Sequence, residues 1–196
     1  MRTIMLDKIE SIRQAYESKC YQPALALALT LPDICGQIEY PDIKTSGQRY
    51  RDWFDNWVNH RYADNTGWLE DENRALNPFF YGKMCWKLRC AFLHSGNIEI
   101  GNFGDKEDEH NRYSYNFELI LSDGVNSFGE MWIHPQKDVG KLSKTKTVKI
   151  DVVELCKNIC LSAEEYYEYK GKEAFVDHSI KLTDIEAKHK FIRGSR

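Results

Sequence analysis

Apolar residues recur at Met5, Ile9, Ile12 and Tyr16, the spacing of one helical face, so residues 3–19 are expected to form an amphipathic helix. The next stretch, PALALALTLPDICGQIE, alternates Ala and Leu behind Pro23. Ala and Leu are strong helix formers and proline suits a first helical turn, so this stretch predicts a buried helix rather than a strand. Pro32 should kink or interrupt it, because its ring removes an amide donor. Beyond a loop around Pro41, Thr45-Ser-Gly-Gln48 has the spacing of a capping box. A third helix then carries Tyr50, Trp53, Trp57 and Arg61 on one face. Residues 63–77 are polar and turn-rich and predict a loop. Phe79 to Ser95 is the fourth helix, with Gly96 placed to terminate it as the C′ residue.

The period then changes. After an acidic, glycine-containing loop over 101–111, the run YSYNFELIL (113–121) sets Tyr113, Tyr115, Phe117, Leu119 and Leu121 on one side, the alternation of a half-buried strand. SDGVNS reads as a turn and FGEMWIH (128–134) as the returning strand of a β-hairpin. A lysine-rich stretch, 137–149, leads to a second capping-box spacing at Asp151-Val-Val-Glu154. Val152, Leu155, Cys156, Ile159, Ala163 and Tyr166 mark a fifth amphipathic helix, and a polar tail fills 171–196. The expectation is a mainly α single domain over 1–196. About five helices form a bundle, and 97–150 is an insertion holding a small β-hairpin ahead of the last main helix.

Composition narrows the class. A chain of 196 residues with 42% hydrophobic and 13% aromatic content can bury a core of its own. No run approaches the roughly 18 apolar residues of a membrane span, and the charged start MRTIMLDKIESIRQ is unlike a secretory signal, so a cytoplasmic protein with no membrane partner is expected. Six cysteines (Cys20, Cys35, Cys85, Cys90, Cys156, Cys160) without a CxxC pair fit reduced core residues. Cys156 and Cys160 share a helix face, but without a second spaced pair they make a weak metal signal. The net charge of −3 gives no global pull on nucleic acid, so any attraction to phosphate must be local. Its local sources are Lys83 and Lys87 on the fourth helix and Lys137, Lys141, Lys144, Lys146 and Lys149 in the insertion. Trp132 and Tyr115 are candidates for stacking bases, although core packing explains them as well. His60, His110, His134 and His178 have no ligand-like spacing.

The fourth helix holds the candidate chemistry. In KLRCAFLHSGN (87–97), Arg89 and His94 interrupt a helix that is apolar almost all round. At 100° per residue Lys83, Lys87, Cys90 and His94 fall within about 60° of one another, whereas Arg89 lies about 140° from His94. An arginine among apolar neighbours needs a partner, because an unpaired buried charge costs several kcal/mol. Asp33 is the candidate acid. With ten arginines and six histidines, such an Arg-to-His spacing arises by accident about once, so spacing alone decides nothing. The bland alternative is a salt-bridged arginine with a histidine placed favourably at a helix C-terminus.

In its context, a penultimate main helix ending in LRCAFLHSG, the motif Arg89-Cys-Ala-Phe-Leu-His94 resembles that of the HEPN domains, an arginine followed by four to six residues and a histidine. The resemblance is specific over 79–97 and architectural over the predicted helices. It does not extend to 101–150. Many active members carry Asn, Asp or His after the arginine, where this chain has Cys90. The resemblance implies a metal-independent endoribonuclease that needs no cofactor, acts on RNA as a homodimer joined through this helix, and serves as a toxin or phage-defence effector, with a cognate antitoxin or regulator as a further partner. It implies Arg89 as phosphate clamp and His94 as general acid or base; beside them Asp33 is the candidate orienting acid, and Lys83, Lys87 and Cys90, on the face of His94, are candidates to line the RNA. The products would carry a 2′,3′-cyclic phosphate. An RNA-, nucleotide- or protein-binding module of the same fold without activity is the alternative.

Overall fold

The computed structural model of the chain describes residues 4–63, 69–71, 74–75, 78–98, 113–133 and 143–178. Helices α1 (Ile4–Glu17), α2 (Tyr21–Ala28), α3 (Leu31–Glu39) and α4 (Ser46–Trp57) come first, followed by a 3-10 turn (Asn59–Tyr62). A two-stranded antiparallel ribbon, β1 (Leu69–Asp71) with β2 (Arg74–Ala75), precedes α5 (Gly82–Cys90). Strands β3 (Tyr113–Ile120), β4 (Ser127–Ile133) and β5 (Ser143–Asp151) then lead into α6 (Val152–Lys170) and a final 3-10 segment (Lys172–His178). The protein is mainly helical, as its periodicity predicts.

The long second helix of the sequence is two helices. Leu29 and Thr30 separate α2 from α3, and Thr30 Oγ1 donates to Leu27 O at 2.7 Å. Pro32 sits in the first turn of α3, where a missing amide costs nothing because that amide has no helical acceptor. The expected helix from Phe79 starts later, at Gly82, and its first amide is held by another helix: Gly82 N donates to Asp55 Oδ1 of α4 at 2.7 Å. Arg61 lies past the end of α4, on the 3-10 turn. The capping box at Thr45 does not form, since Thr45 makes no side-chain cap and Gln48 Oε1, which would reach back, accepts instead from Arg51 Nη2 at 2.6 Å. The one at Asp151 does cap, with Oδ1 accepting from Glu154 N at 2.8 Å.

Alpha-6 is the central post. It touches α1, α2, α3 and α4 and buries Leu155, Cys156, Ile159, Cys160, Ala163 and Tyr166. Around it the aromatic rings of Trp53, Phe54, Tyr62, Phe80 and Tyr166 form a continuous core. Helix α4 lies between α3 and α5 at close range. A Cβ on Gly36 would come within 2.6 Å of Arg49 O, and one on Gly82 within 2.5 Å of Arg51 O, so both glycines mark backbone-to-backbone approaches.

The β-hairpin of the sequence reading is corrected. Strands β3 and β4 do not pair with each other; the order is β3-β5-β4, with β3 parallel and β4 antiparallel to β5. The described part of the lysine-rich stretch is therefore in the central strand, Ser143–Asp151, which is rich in the β-branched Thr145, Thr147, Val148 and Ile150. Strands two places apart are separated by about 10 Å, which residues 121–126 span. Asp151 fills that gap: its Oδ2 accepts from Ser122 N at 2.6 Å, and its own amide donates to Asn126 Oδ1 at 2.9 Å. The expected loop at 63–77 is likewise corrected in part by the β1–β2 ribbon. Among the described residues, no helix is long and apolar enough to cross a membrane.

Candidate functional site

Helix α5 does not end as an α-helix. Ala91–Ser95 winds as a π turn, and the Gly96 amide donates to Ala91 O five residues back. Asn97 N donates to the same oxygen at 3.3 Å. Gly96 reverses the chain at φ 64°, a left-handed conformation that glycine adopts without penalty. A π turn rotates less per residue than an α-helix, so positions five apart across it lie closer together around the axis. The 140° expected between Arg89 and His94 is thereby reduced, and the two side chains bridge the remainder: Arg89 Nη1 donates to His94 Nε2 at 2.9 Å. A guanidinium only donates, so Nε2 offers its lone pair here and the imidazole proton resides on Nδ1.

Asp33 completes the line from α3. Its Oδ2 accepts from Arg89 Nε at 3.1 Å and is ion-paired with Nη2 at the same distance, while the side chains of Arg89 and Asp33 remain 21% and 27% exposed. Burial raises the Asp33 carboxyl above its ordinary range, outweighing the opposing pull of Arg89 and Arg49. Among the described residues Nε and Nη1 thus donate to Asp33 and His94 while Nη2 is ion-paired with Asp33, which leaves N–H groups on both terminal nitrogens for a further acceptor. His94 is exposed. The set therefore forms a small, partly open concentration of hydrogen-bond donors with one histidine at its rim.

The face of the guanidinium rests on Trp86, with Cζ 5.1 Å from the ring centroid. Trp86 packs in turn against Tyr50, ring centroids 5.2 Å apart. Beneath them Tyr50 Oη and Cys85 Sγ lie 3.2 Å apart in the core, where burial pushes the tyrosine well up and the thiol to about 12. In sequence Trp86 is one more apolar position of this helix. Its spacing of three from Arg89 was the available signal, because residues so spaced meet on a helix surface.

The structure brings together Asp33, Arg89 and His94 of the expected site residues. Lys83, Lys87 and Cys90 are half-buried on α5, and both lysines have interactions of their own. On the sheet, Lys149 is paired across the β3–β5 register with Glu118 at 3.0 Å, which offsets its charge as a local attractant. Lys144 and Lys146 lie on β5, Tyr115 on β3 and Trp132 on β4, with side chains outside the described part. Lys137, Lys141, His110 and His134 also lie outside the described residues. Cys156 and Cys160 are buried in the core, and among the described residues no three His, Cys, Asp or Glu side chains gather as metal ligands. A concavity of about 370 Å³ lined by Tyr21, Ser122, Asp123, Asp151 and Lys157 shares no residue with this site.

Compared with known proteins, the chain matches no family model, no curated protein and no solved structure. The site and the motif it is built on carry the functional reading.

Proposed function

We propose that this chain is a metal-independent endoribonuclease of the HEPN type, a toxin or antiviral effector that cleaves RNA with Arg89 and His94. The observation that carries the reading is the contact of Arg89 with His94 across the π turn, in a helix otherwise given over to packing. Cleavage without a metal needs a base for the 2′-hydroxyl proton, a cation for the phosphorane and a proton for the departing 5′-oxygen. Arg89 supplies the cation, oriented by Asp33. A substrate phosphate accepting from Nη1 takes the place of His94, which frees the Nε2 lone pair to remove the 2′-proton. The 2′-oxygen then attacks phosphorus, the P–O5′ bond breaks, and a 2′,3′-cyclic phosphate results. One histidine cannot be base and acid in the same step, so a second copy, related by a two-fold axis beside this turn, supplies the protonated imidazole.

The experiment is RNA cleavage in EDTA by wild type, Arg89→Ala and His94→Ala of equal folded content. Loss of a general acid or base is expected to lower the rate about 10²–10⁴-fold, and loss of the clamp about 10²–10³-fold. Wild-type rates in both variants would remove the proposal. Cys90 favours a second reading, an inactive module of the same fold that binds RNA, a nucleotide or a protein, because a thiol positions a phosphate or imidazole poorly. That reading expects salt-sensitive RNA binding with no cleavage, and the binding falls in Arg89→Ala.

A further inference from the structure

A guanidinium is a flat group, and orienting it takes constraints on its edges and on its face. At Arg89 the edges are held by Asp33, through Nε and Nη2, and by His94, through Nη1. Both Asp33 contacts converge on a single oxygen, Oδ2, which acts as a pivot rather than a fork. The plane remains free to roll about that pivot unless something covers its face, and Trp86 lies there, its ring centroid 5.1 Å from Cζ.

The indole is itself clamped. Tyr50, fully buried, packs against it at 58° and 5.2 Å, and the tyrosine is anchored by its contact with Cys85. On the other helix Gly47 leaves the room the indole occupies: a Cβ there would fall 2.9 Å from Trp86 Cε2 and 3.0 Å from Cζ2 and Nε1. A side chain on α4 is thus omitted where the ring needs the space.

We propose that Trp86 is a positioning residue for Arg89, with Gly47 as the notch that admits it. The inference rests on the reading of Arg89 as a phosphate clamp. Trp86 touches no reacting atom. It fixes the roll of the guanidinium so that its remaining terminal N–H groups face the substrate, while the ion pair with Asp33 alone would hold the charge but not its direction.

Two readouts separate this inference from the ribonuclease reading. The first is the Arg89 Nε–H signal in a nitrogen–proton NMR spectrum, assigned by its loss in Arg89→Lys. Stacking on an indole is expected to shift and sharpen it in wild type. Trp86→Phe retains an aromatic face and keeps the signal distinct, whereas Trp86→Leu and Gly47→Ala move it toward that of a freely rotating arginine at unchanged folded content. The second is cleavage: Trp86→Leu is expected to lower kcat about 10- to 100-fold with KM within about twofold, and Trp86→Phe to restore most of it. An Arg89 signal that Trp86→Leu leaves unmoved overturns the inference, whatever the cleavage data show. A signal that moves as expected in a protein that cuts no RNA keeps the positioning role and overturns the ribonuclease reading.

Discussion

A carboxyl taken out of water titrates upward and one beside a guanidinium titrates downward; at Asp33 burial wins over Arg89 and Arg49. The folded chain therefore binds this proton more tightly than the unfolded chain does. Its contribution to stability is full below the ordinary value of 3.8 and declines as pH rises through the raised value, because the unfolded state releases the proton first. Urea midpoints of wild type and Asp33→Asn, measured across the acid range, check this. The stability of wild type relative to the variant is expected to fall with rising pH over that window and then to level, whereas a rise would mean that Arg89 dominates. The partner itself was legible in sequence, because a lone arginine in an apolar helix requires an acid. The indole under that arginine was not, since a tryptophan amid Phe, Met and Leu looks like any core residue. Its spacing of three from Arg89 permits the contact, and the tertiary approach of Gly47 and Tyr50 is what sets it apart from the others.

Hydrophobic period reads a helix well and its terminus poorly. The face of α1 through Ile9 and Ile12 and that of α6 through Leu155, Ile159 and Tyr166 are buried as the spacing requires. The π turn at Ala91–Ser95 escaped, because a wider turn leaves no mark on the apolar pattern of AFL, yet it carries His94 toward Arg89. Strand pairing escaped for a different reason: SDGVNS has the composition of a hairpin turn, and what opens it is a distant aspartate. Asp151 is 1% exposed and accepts from Glu154 N and from Ser122 N, so it joins the start of α6 to the turn between β3 and β4. Asp151→Ala leaves two amides without these acceptors and is expected to cost about 2–4 kcal/mol in urea unfolding, with Asp151→Asn recovering most of it. A cost below about 1 kcal/mol would mean that water takes over both donors.

Across the whole molecule the cysteines form a ready set of probes, because burial has sorted them. Cys20 is exposed and Cys90 half-buried, while Cys35, Cys85, Cys156 and Cys160 belong to the core. Burial raises all four core thiols, Cys85 and Cys160 to about 12, so at neutral pH they are both covered and protonated, and the thiolate is the reactive form. A neutral thiol reagent is expected to label two cysteines in the folded protein and the other four only on opening. The four occupy two regions, Cys35 and Cys85 where α3 and α5 flank α4, Cys156 and Cys160 on α6, yet they share one hydrophobic core. If that core opens as a unit, all four acquire label at one common rate that follows global unfolding as urea is raised. Peptide mapping of the labelled sites over time checks it. Earlier labelling of Cys85 than of Cys156 and Cys160 would show instead that α5, and with it the Arg89–His94 contact, detaches while α6 stays folded.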